Sequence, residues 1–368
     1  MIPVNEPLLG AHESQYVMEC LNTGWISSEG RFIREFEERW AAYCGMAHGV
    51  AVSNGTVALQ AAVACLDLAP GDEIIMPTFT IISCAQAVTY NGGVPVLVDS
   101  DPRTWCMDVS QVEAKITPRT RAIMPVHIYG HPVDMDPLFA LAEKYHLSII
   151  EDAAEAHGAD YRGRKCGGLG DLSCFSFYAN KIITTGEGGM VLTNNADYAE
   201  RLRSLRNLCF RRDRRFYHTE LGFNFRLTNM QAAVGLGQLE RIEELLARKQ
   251  WLGQAYTERL RALDALQLPV QQDWATNVYW MYGVVVDERT GMDAAEFARR
   301  LAERGIMTRP FFLGMHEQPA LHNLGLFRAE RYPVAERLAR QGLYLPSGLA
   351  LTQEQLEQVC QAVHAVLG

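Results

Sequence analysis

The chain has 368 residues, which is longer than the chains that a single hydrophobic core usually stabilises. Its 48% hydrophobic and 21% charged residues are typical of a globular protein. No uncharged apolar run is long enough to span a membrane, and 34 basic against 43 acidic residues argue against binding to nucleic acid. Nine cysteines without a CxxC pair and histidines without HExxH favour reduced thiols and no metal site.

The first residues lack a basic and apolar leader, so we expect a cytoplasmic protein. After an N-terminal arm, helical spacing predicts a helix at 30–44, and the segment 50–53 leads into a second helix at about 56–68. Four β-branched runs then predict strands, with enough chain between them for crossover helices, at 73–76, 94–98, 122–126 and 147–151. These strands predict a mostly parallel sheet, which holds ligands at the carboxyl ends of its strands.

Asp99, Asp152 and the segment 127–129 follow these strand ends directly. Two further strands are predicted at 174–178 and 190–193, with Lys181 on the loop between them. A helical stretch from 229 to about 263 is long enough to bridge two domains. We predict a large domain at 1–245 and a small C-terminal α/β domain at 246–368, with strands near 278–286 and 306–309 and helices near 294–304 and 352–367.

Asp152 and Lys181 form a pair with a chemical meaning. A carboxylate that faces a pyridine nitrogen keeps the ring cationic, and a lysine amine can hold pyridoxal phosphate covalently. A buried aspartate needs such a cationic partner, since desolvation otherwise raises its pKa. A released lysine amine is then the natural general acid and base. The pair predicts a pyridoxal phosphate site, and an ordinary strand-end aspartate with a surface lysine is the alternative.

The segment Ser53-Asn54-Gly55-Thr56 precedes a helix rich in alanine and valine. A helix N-terminus with hydroxyl donors can bind a phosphate without a cation, although an ordinary helix cap has the same sequence. Gly55 and Thr56 are the candidate donors. Ser176 belongs to the same predicted row of strand ends, which favours the phosphate interpretation.

Three other features allow two interpretations each. Glu155 can lie beside the cofactor ring and bond its phenolic oxygen, or be a glutamate on a helix face. His157 can flank the ring or satisfy a hydrogen bond in the core, and we expect the second. The basic run 211–215 can be a solvated loop or a clamp for a diphosphate, because arginine binds phosphate through two parallel hydrogen bonds.

Motifs of other enzyme classes are absent, since the sequence has no GxGxxG after an early strand, no GxxxxGK[ST] and no GxSxG. The strings SNGTVAL, PVHIYGHPVDMDP, EDAAEAHGA, GDLSCFSFYANKIITTGEGGMV and GFNFRLTNMQAA, in this order, resemble the DegT/DnrJ/EryC1/StrS family of sugar aminotransferases. The resemblance covers nearly the whole chain.

The resemblance implies the type I aminotransferase (aspartate aminotransferase-like) α/β fold and a homodimer with shared active sites. It implies pyridoxal 5′-phosphate as cofactor, held covalently by Lys181, with Asp152 at the ring nitrogen and Glu155 at the phenolic oxygen. Position by position, it also implies phosphate contacts from Gly55, Thr56 and Ser176, a further phosphate contact that Asn224 donates across the dimer, and a sugar-nucleotide site near Arg309 and His316.

The implied reaction transfers an amino group from L-glutamate to the 4-keto carbon of a nucleotide-linked 4-keto-6-deoxy sugar, with the GDP-linked sugar favoured. Alternatives are a UDP- or dTDP-linked 3- or 4-keto sugar, a carrier-free keto sugar, or a non-catalytic regulator with the same fold. One position departs from the family pattern: an aromatic residue usually stacks on the cofactor where this chain has Ile81. Either Ile81 packs on the ring or Phe79 replaces the missing aromatic side chain.

Overall fold

The computed structural model describes residues 1–211 and 213–368, so Arg212 of the basic run lies outside the described residues. The helices in the described ranges are α1 (Ala11–Thr23), α2 (Arg31–Tyr43), α3 (Gly55–Ala64), α4 (Ser83–Tyr90), α5 (Met135–Tyr145), α6 (Ala196–Leu205), α7 (Asn229–Leu239), α8 (Ile242–Leu260), α9 (Ala294–Ala302), α10 (Pro319–Asn323), α11 (Pro333–Gln341) and α12 (Gln353–Leu367). The strands are β1 (His48–Val52), β2 (Glu73–Pro77), β3 (Val94–Val98), β4 (Thr120–Ile123), β5 (Ser148–Asp152), β6 (Asp160–Tyr161), β7 (Arg164–Lys165), β8 (Leu172–Ser176), β9 (Gly189–Thr193), β10 (Leu266–Gln267), β11 (Ala275–Thr276), β12 (Tyr282–Val286), β13 (Arg309–Pro310) and β14 (Gly342–Leu345).

A seven-stranded sheet with the order β1-β9-β8-β5-β4-β2-β3 forms the centre of the molecule. The pairs from β8 through β5, β4 and β2 to β3 are parallel, and β9 is antiparallel to both β8 and β1. Every residue of β2 and of β9 is buried, as expected for strands that helices cover on both faces. This sheet confirms the predicted α/β fold with a mostly parallel centre.

Two smaller sheets accompany the central one. β10, β12, β14 and β13 form an antiparallel sheet in the order β10-β12-β14-β13, and β6, β7 and β11 form a second small sheet. A separate hydrophobic cluster lies around the four-stranded sheet, with Tyr256 of α8, Phe297 of α9 and Val363 of α12 completely buried in it. This cluster accompanies the predicted small domain, and the boundary between residues 245 and 246 stays a prediction.

The single helix predicted from 229 to about 263 is wrong, because α7 ends at Leu239 and α8 begins at Ile242. Arg241 has a non-helical backbone, with φ −114° and ψ 13°, and its N–H donates to the Gln238 carbonyl. Glu240 accepts hydrogen bonds from His12 and Tyr16 of α1 and from Arg39 of α2. The break therefore lets α7 pack on α1 and α2 while α8 continues toward the four-stranded sheet.

The N-terminal arm contains structure that the pattern did not predict. α1 was missed, and Ile2 forms a parallel bridge with Ile306, so Ile306 does not continue the strand predicted at 306–309. Only Arg309 and Pro310 of that stretch pair with β14.

All nine cysteines are buried, and none forms a disulfide bond. Among the described residues, no helix combines the length and the hydropathy needed to cross a bilayer.

Candidate active site

A cavity of about 790 Å³ lies at the carboxyl ends of β5 and β8, where the four-stranded sheet meets the central one. It collects seven of the nine predicted site residues, namely Gly55, Thr56, Asp152, Glu155, Ser176, Lys181 and Arg309. These residues are spread over more than 250 positions in sequence, so the fold alone brings them together. Asn224 and His316 do not line this cavity.

One end of the cavity is formed by the first turn of α3. The Asn54 side chain caps the helix by accepting the Val57 N–H at 3.0 Å, which leaves the preceding N–H groups free to bind an anion. A Cβ on Gly55 would lie 2.7 Å from the Ser176 Cβ, so only glycine allows α3 to approach β8 this closely. The Thr56 hydroxyl lies 2.8 Å from that of Ser83. Helix dipole, free N–H groups and hydroxyls therefore meet at one place.

Asp152 ends β5 with its side chain almost completely buried, at 2% exposure. Its carboxylate accepts only two hydrogen bonds within the described residues, from the Ala154 N–H at 3.1 Å and from the Cys84 thiol at 3.2 Å. Burial raises the pKa of Asp152, and the Ala154 N–H, the thiol and the Lys181 charge offset that rise only in part. This carboxylate is therefore prepared for a cationic partner that the polypeptide itself does not supply.

Glu155 is buried in a turn after β5, so the helix-face interpretation is wrong. Its carboxylate accepts the Tyr129 N–H at 2.8 Å, and burial raises its pKa. His157 is completely buried in the same turn region, and neither of its ring nitrogens has a hydrogen-bond partner among the described residues. The expected position in the core is therefore confirmed, since the ring packs against Trp40 and two phenylalanines at centroid distances of 5.2–5.6 Å, and the Ser176 backbone partly offsets the fall in its pKa that burial causes.

Lys181 lies on the loop between β8 and β9, with its amine pointing into the cavity wall. Burial lowers its pKa, while the charges of Glu155 and Asp152 oppose this effect. No carboxylate among the described residues lies within ion-pair distance of the amine. The Nζ atom is instead 3.6 Å from the centre of the Trp280 ring. A lysine with a lowered pKa and no ion-pair partner is suited to act as a nucleophile and a base.

The structure distinguishes between Ile81 and Phe79, the two candidates for contact with the cofactor ring. Ile81 is 46% exposed and lines the cavity, whereas Phe79 is completely buried and does not. Phe79 packs against Tyr129, Phe311 and Phe312 in the core. The residue available at this face of the cavity is therefore Ile81.

Arg309 and His316 lie in different environments. Arg309 is exposed on β13 and lines the cavity. His316 is buried, with Nδ1 2.8 Å from the Thr78 hydroxyl and Nε2 3.4 Å from the Glu336 carboxylate. Arg309 therefore lies at the cavity, whereas His316 is hydrogen-bonded in the core.

Asn224 is exposed and lies away from the cavity of its own chain. Arg211 is also exposed and forms an ion pair with Asp213 at 2.7 Å, while Arg214 lies over the Tyr217 ring at 4.6 Å. The described part of the basic run has the form of a solvated loop on this chain. Its alternative role as a diphosphate clamp stays a prediction.

Several side chains of the cavity were not predicted as site residues. Trp280, Phe312 and Tyr344 come from the second half of the chain, and Ser83 begins α4. The aromatic residues near 278–286 were interpreted only as a strand, because hydrophobic alternation does not show which end of a strand faces a ligand. The serine after Ile81 and Ile82 was one available signal, since a hydroxyl in the first turn of a helix can donate a hydrogen bond to a phosphate.

These residues fit pyridoxal phosphate on the evidence of their own contacts. The contact between Gly55 and Ser176 leaves a cradle that a Cβ would fill, and the adjoining helix end suits a phosphate. Asp152 provides a buried carboxylate in need of a cation, and Lys181 provides an amine without an ion pair. Each chemical part of the cofactor therefore has a matching group in one cavity.

Comparisons with known proteins agree with this site. The sequence profile of the DegT/DnrJ/EryC1/StrS aminotransferase family matches residues 7–364. A GDP-perosamine synthase from Caulobacter vibrioides is 46% identical over 367 residues, which cover 100% of this chain and 98% of that protein. A GDP-perosamine synthase from Escherichia coli O157:H7 is 40% identical over 99% of this chain and 98% of its own. The structure of the aminotransferase TlmJ from Streptoalloteichus hindustanus has a TM-score of 0.92 at 32% identity, and covers 99% of this chain and 98% of its own.

Proposed function

The chain belongs to the DegT/DnrJ/EryC1/StrS aminotransferase family, and from this premise we propose that it transfers the amino group of L-glutamate to GDP-4-keto-6-deoxy-D-mannose, giving GDP-perosamine. One observation carries the proposal. Lys181, Asp152 and the phosphate-binding end of α3 face one cavity in a chain that is 46% identical, over its whole length, to a GDP-perosamine synthase.

Pyridoxal phosphate is the cofactor of the chain. When bound, it supplies an aldehyde that takes up the amino group and a cationic ring that accepts electrons. Gly55, Thr56 and Ser176 would hold its phosphate, while Asp152 would face the ring nitrogen and Glu155 the phenolic oxygen. Asp152 then serves as the fixed negative charge that keeps the ring protonated.

Lys181 moves the protons. In the first half of the reaction its Nζ removes the proton from the α-carbon of glutamate, which leaves as 2-oxoglutarate. In the second half the same atom delivers a proton to C4 of the sugar as the new amine forms. Because burial lowers the pKa of Lys181, a larger share of its free amine is neutral and able to take up a proton than in an ordinary lysine.

Arg309 is the candidate for the diphosphate of the sugar nucleotide. Its guanidinium is exposed at the cavity, where it can form two parallel hydrogen bonds to phosphate oxygens. The hydrophobic wall next to it, formed by Pro310, Phe312 and Tyr344, can receive the deoxy face of the sugar.

A substrate panel tests the proposed reaction. Purified protein with pyridoxal phosphate and L-glutamate is given GDP-, UDP- and dTDP-linked 3- and 4-keto sugars and a carrier-free keto sugar, and 2-oxoglutarate is measured. We expect the highest kcat/KM with the GDP-linked 4-keto-6-deoxy sugar. Preference for another keto sugar would replace the proposed substrate, and failure of every sugar to release 2-oxoglutarate would favour the non-catalytic regulator.

We further propose a homodimer with shared active sites. Apolar side chains are exposed in and just after α1, including Met18, Leu21, Trp25 and Ile26, and Leu221 is 92% exposed three residues before Asn224. Exposed apolar side chains near an expected cofactor ligand are typical of an interface between copies. In such a dimer Asn224 would reach the phosphate in the partner's cavity.

Mixing inactive variants tests the shared site. Lys181→Ala and Asn224→Ala chains are refolded or co-expressed together, and only the mixed dimer can contain one intact site. We expect each variant alone to be inactive and random mixing to recover about a quarter of wild-type activity. No recovery in mixed dimers, isolated with two different affinity tags, would contradict sharing of the site.

We also propose that the enzyme works in the cytoplasm. Nine buried and unpaired cysteines suit a reducing compartment. Expression with fractionation of the cells checks this proposal, and recovery of the chain outside the soluble cytoplasmic fraction would contradict it.

A further inference from the structure

Trp280 contacts the proposed catalytic lysine in two ways. The Lys181 Nζ lies 3.6 Å from the centre of the indole ring, within the range of a cation–π interaction. The indole N–H donates to the carbonyl of Asn180, the residue directly before Lys181, at 2.8 Å. One side chain therefore holds both the amine and the backbone that carries it.

The indole is itself fixed. Trp280 is only 3% exposed, and the Tyr129 ring is stacked near it at a centroid distance of 6.2 Å. Tyr129 in turn donates its backbone N–H to Glu155. Because its N–H bond and its neighbours define its orientation, Trp280 offers Lys181 one ring face rather than a mobile contact.

Trp280 also lies between the large cavity and a tightly packed region behind it. Asn180, Lys181 and Trp280 contact both, and the packed region has no room for a water molecule. Without the indole, the Lys181 side chain would gain room to turn away from the large cavity, toward Lys249 and Leu349. The ring therefore limits where a free lysine amine can rest.

We propose that Trp280 is a positioning residue for the transamination, whose indole face holds the free amine of Lys181 as an ammonium at the cavity wall whenever the amine is not bound to the cofactor. The inference rests on the proposed function, because a lysine that is alternately bound and released needs a defined resting place. By stabilising the charged form, the ring sets how readily Lys181 accepts and returns a proton.

Other charged and titratable groups also surround Lys181, so a matched control is needed. Asp152 and Glu155 favour its charged form, and burial opposes it. The groups that line the large cavity or the packed region behind it, or that interact with the amine, are Asp152, Glu155, Glu187 and Glu6, the basic residues Arg309 and Lys249, and His157, Tyr178 and Tyr344. A change at Trp280 leaves all of these groups in the chain, so a shift in the behaviour of Lys181 reports the ring itself.

The first test uses the full chain after removal of the cofactor. Trace acetic anhydride labels free amines only in their neutral form, and peptide mass spectrometry gives the labelling rate of Lys181 against pH. In Trp280→Leu the midpoint should fall by roughly 0.5–1 unit, which makes Lys181 label about 3–10-fold faster below the midpoint. Trp280→Phe should give a smaller shift in the same direction.

Trp105→Leu is the matched control, because Trp105 is a buried tryptophan that also packs near Tyr129 but has no contact with Lys181. We expect its Lys181 midpoint to equal that of the wild type. If Trp280→Leu does not fold, Trp280→Phe carries the test. An unchanged Lys181 midpoint in a folded Trp280 variant would overturn the proposal.

The second test uses the enzyme loaded with cofactor and separates this inference from the proposed function. In Trp280→Leu the pH profile of kcat should move in the same direction as the labelling midpoint, with KM for the sugar nucleotide changed less than twofold. A lower kcat without a shift of the profile would overturn the positioning role. Absence of turnover in the wild type would refute the proposed function, while the labelling experiment would still decide the role of Trp280.

Discussion

Glu151 and Asp152 are consecutive residues of one strand, yet their carboxylates occupy opposite kinds of environment. The Glu151 carboxylate is completely buried and accepts the N–H groups of Gly167, Leu169 and Gly170, together with hydrogen bonds from the Ser173 hydroxyl and the His127 ring, from 2.5 to 3.1 Å. Burial raises its pKa, but the hydrogen bonds from His127, the Gly167 N–H and the Ser173 hydroxyl outweigh burial, so the pKa is lowered.

Asp152 is buried to nearly the same degree but accepts only a backbone N–H and a thiol. Its pKa is raised by burial. The difference teaches that burial alone does not identify a functional carboxylate. The structural carboxylate has a full set of fixed donors, whereas the carboxylate for the cofactor is left under-bonded at a cavity.

The full set of hydrogen-bond donors around Glu151 also indicates that the cluster of His127, Glu151 and Cys166 has a structural role. Their ligand atoms lie within 4.8 Å of one another, a spacing that could suit a metal ion. His127 Nδ1 accepts the Val133 N–H at 3.0 Å, so the proton of the ring is assigned to Nε2, which donates to Glu151. Both oxygens of Glu151 are used by the five donors, and the cluster thereby fixes the segment 166–170.

Glu151→Gln should have the largest effect on stability. The new amide would place N–H groups against existing N–H donors in a completely buried site, so we expect a loss of about 3 kcal/mol in the free energy of unfolding. Urea titration of the cofactor-free protein measures it. Full stability of this variant would show that the five hydrogen bonds do not define the structural carboxylate.

Asp152→Asn should give the opposite result. Because the carboxylate is under-bonded, we expect the unfolding free energy of the cofactor-free protein to change by less than about 1 kcal/mol. Turnover should fall about 100-fold or more, since a neutral amide does not stabilise a cationic ring. Parallel urea and kinetic measurements on the same preparation check both. A variant that is unstable but active would reverse the assignment of the two residues.

Glu155→Gln should change the pH dependence of stability. Since burial raises the folded-state pKa of Glu155 above its ordinary 4.5, this group contributes stability below pH 4.5 that is lost as pH rises through the folded-state value. The variant should therefore lose less stability than the wild type between pH 4.5 and about 7, by about 1–3 kcal/mol. Glu151 has a lowered pKa, so its contribution is instead present above 4.5 and lost at lower pH. Urea midpoints across pH test the sign, and identical curves for Glu155→Gln and wild type would contradict it.

Ile81→Phe should have the smallest effect. Ile81 lines the cavity and an aromatic ring at this position could stack on the cofactor, so we expect pyridoxal phosphate to bind roughly 2–10-fold more tightly. Absorbance titration of the cofactor-free protein measures the Kd. Phe79→Leu is the control: it should lower stability through the core without the same effect on Kd, and tighter binding in that control would contradict the assignment to Ile81.

Sequence periodicity was sufficient for most of the central sheet, because buried parallel strands leave short β-branched runs that few other structures produce. It did not find the break at Arg241, since the helical pattern continues through a position whose backbone is set by contacts of Glu240 with α1 and α2. The predicted and observed strand boundaries also differed where a residue pairs with a strand far away in sequence. Ile306 is an example, because its bridge partner Ile2 lies at the other end of the chain.

The site was predictable to the extent that its chemistry is local in sequence. Asp152, Lys181 and Gly55 stand in short motifs, and the structure places all three at one cavity. Trp280 and the core position of His316 depend on how the second half of the chain folds over the strand ends, and their own sequence neighbourhoods contain no sign of it. His157 shows the same limit, because its packing against Trp40 and Phe175 depends on residues far from it in sequence.

The most direct test of the central claim is the position and glutamate dependence of the covalent cofactor bond. Protein loaded with pyridoxal phosphate is reduced with borohydride, digested and mapped by mass spectrometry, with and without prior addition of L-glutamate. We predict that the cofactor mass lies on the peptide containing Lys181 and is largely lost from it when glutamate is added first. Label on another lysine, or label on Lys181 that glutamate does not remove, would contradict the assignment of Lys181 as the catalytic residue of an aminotransferase.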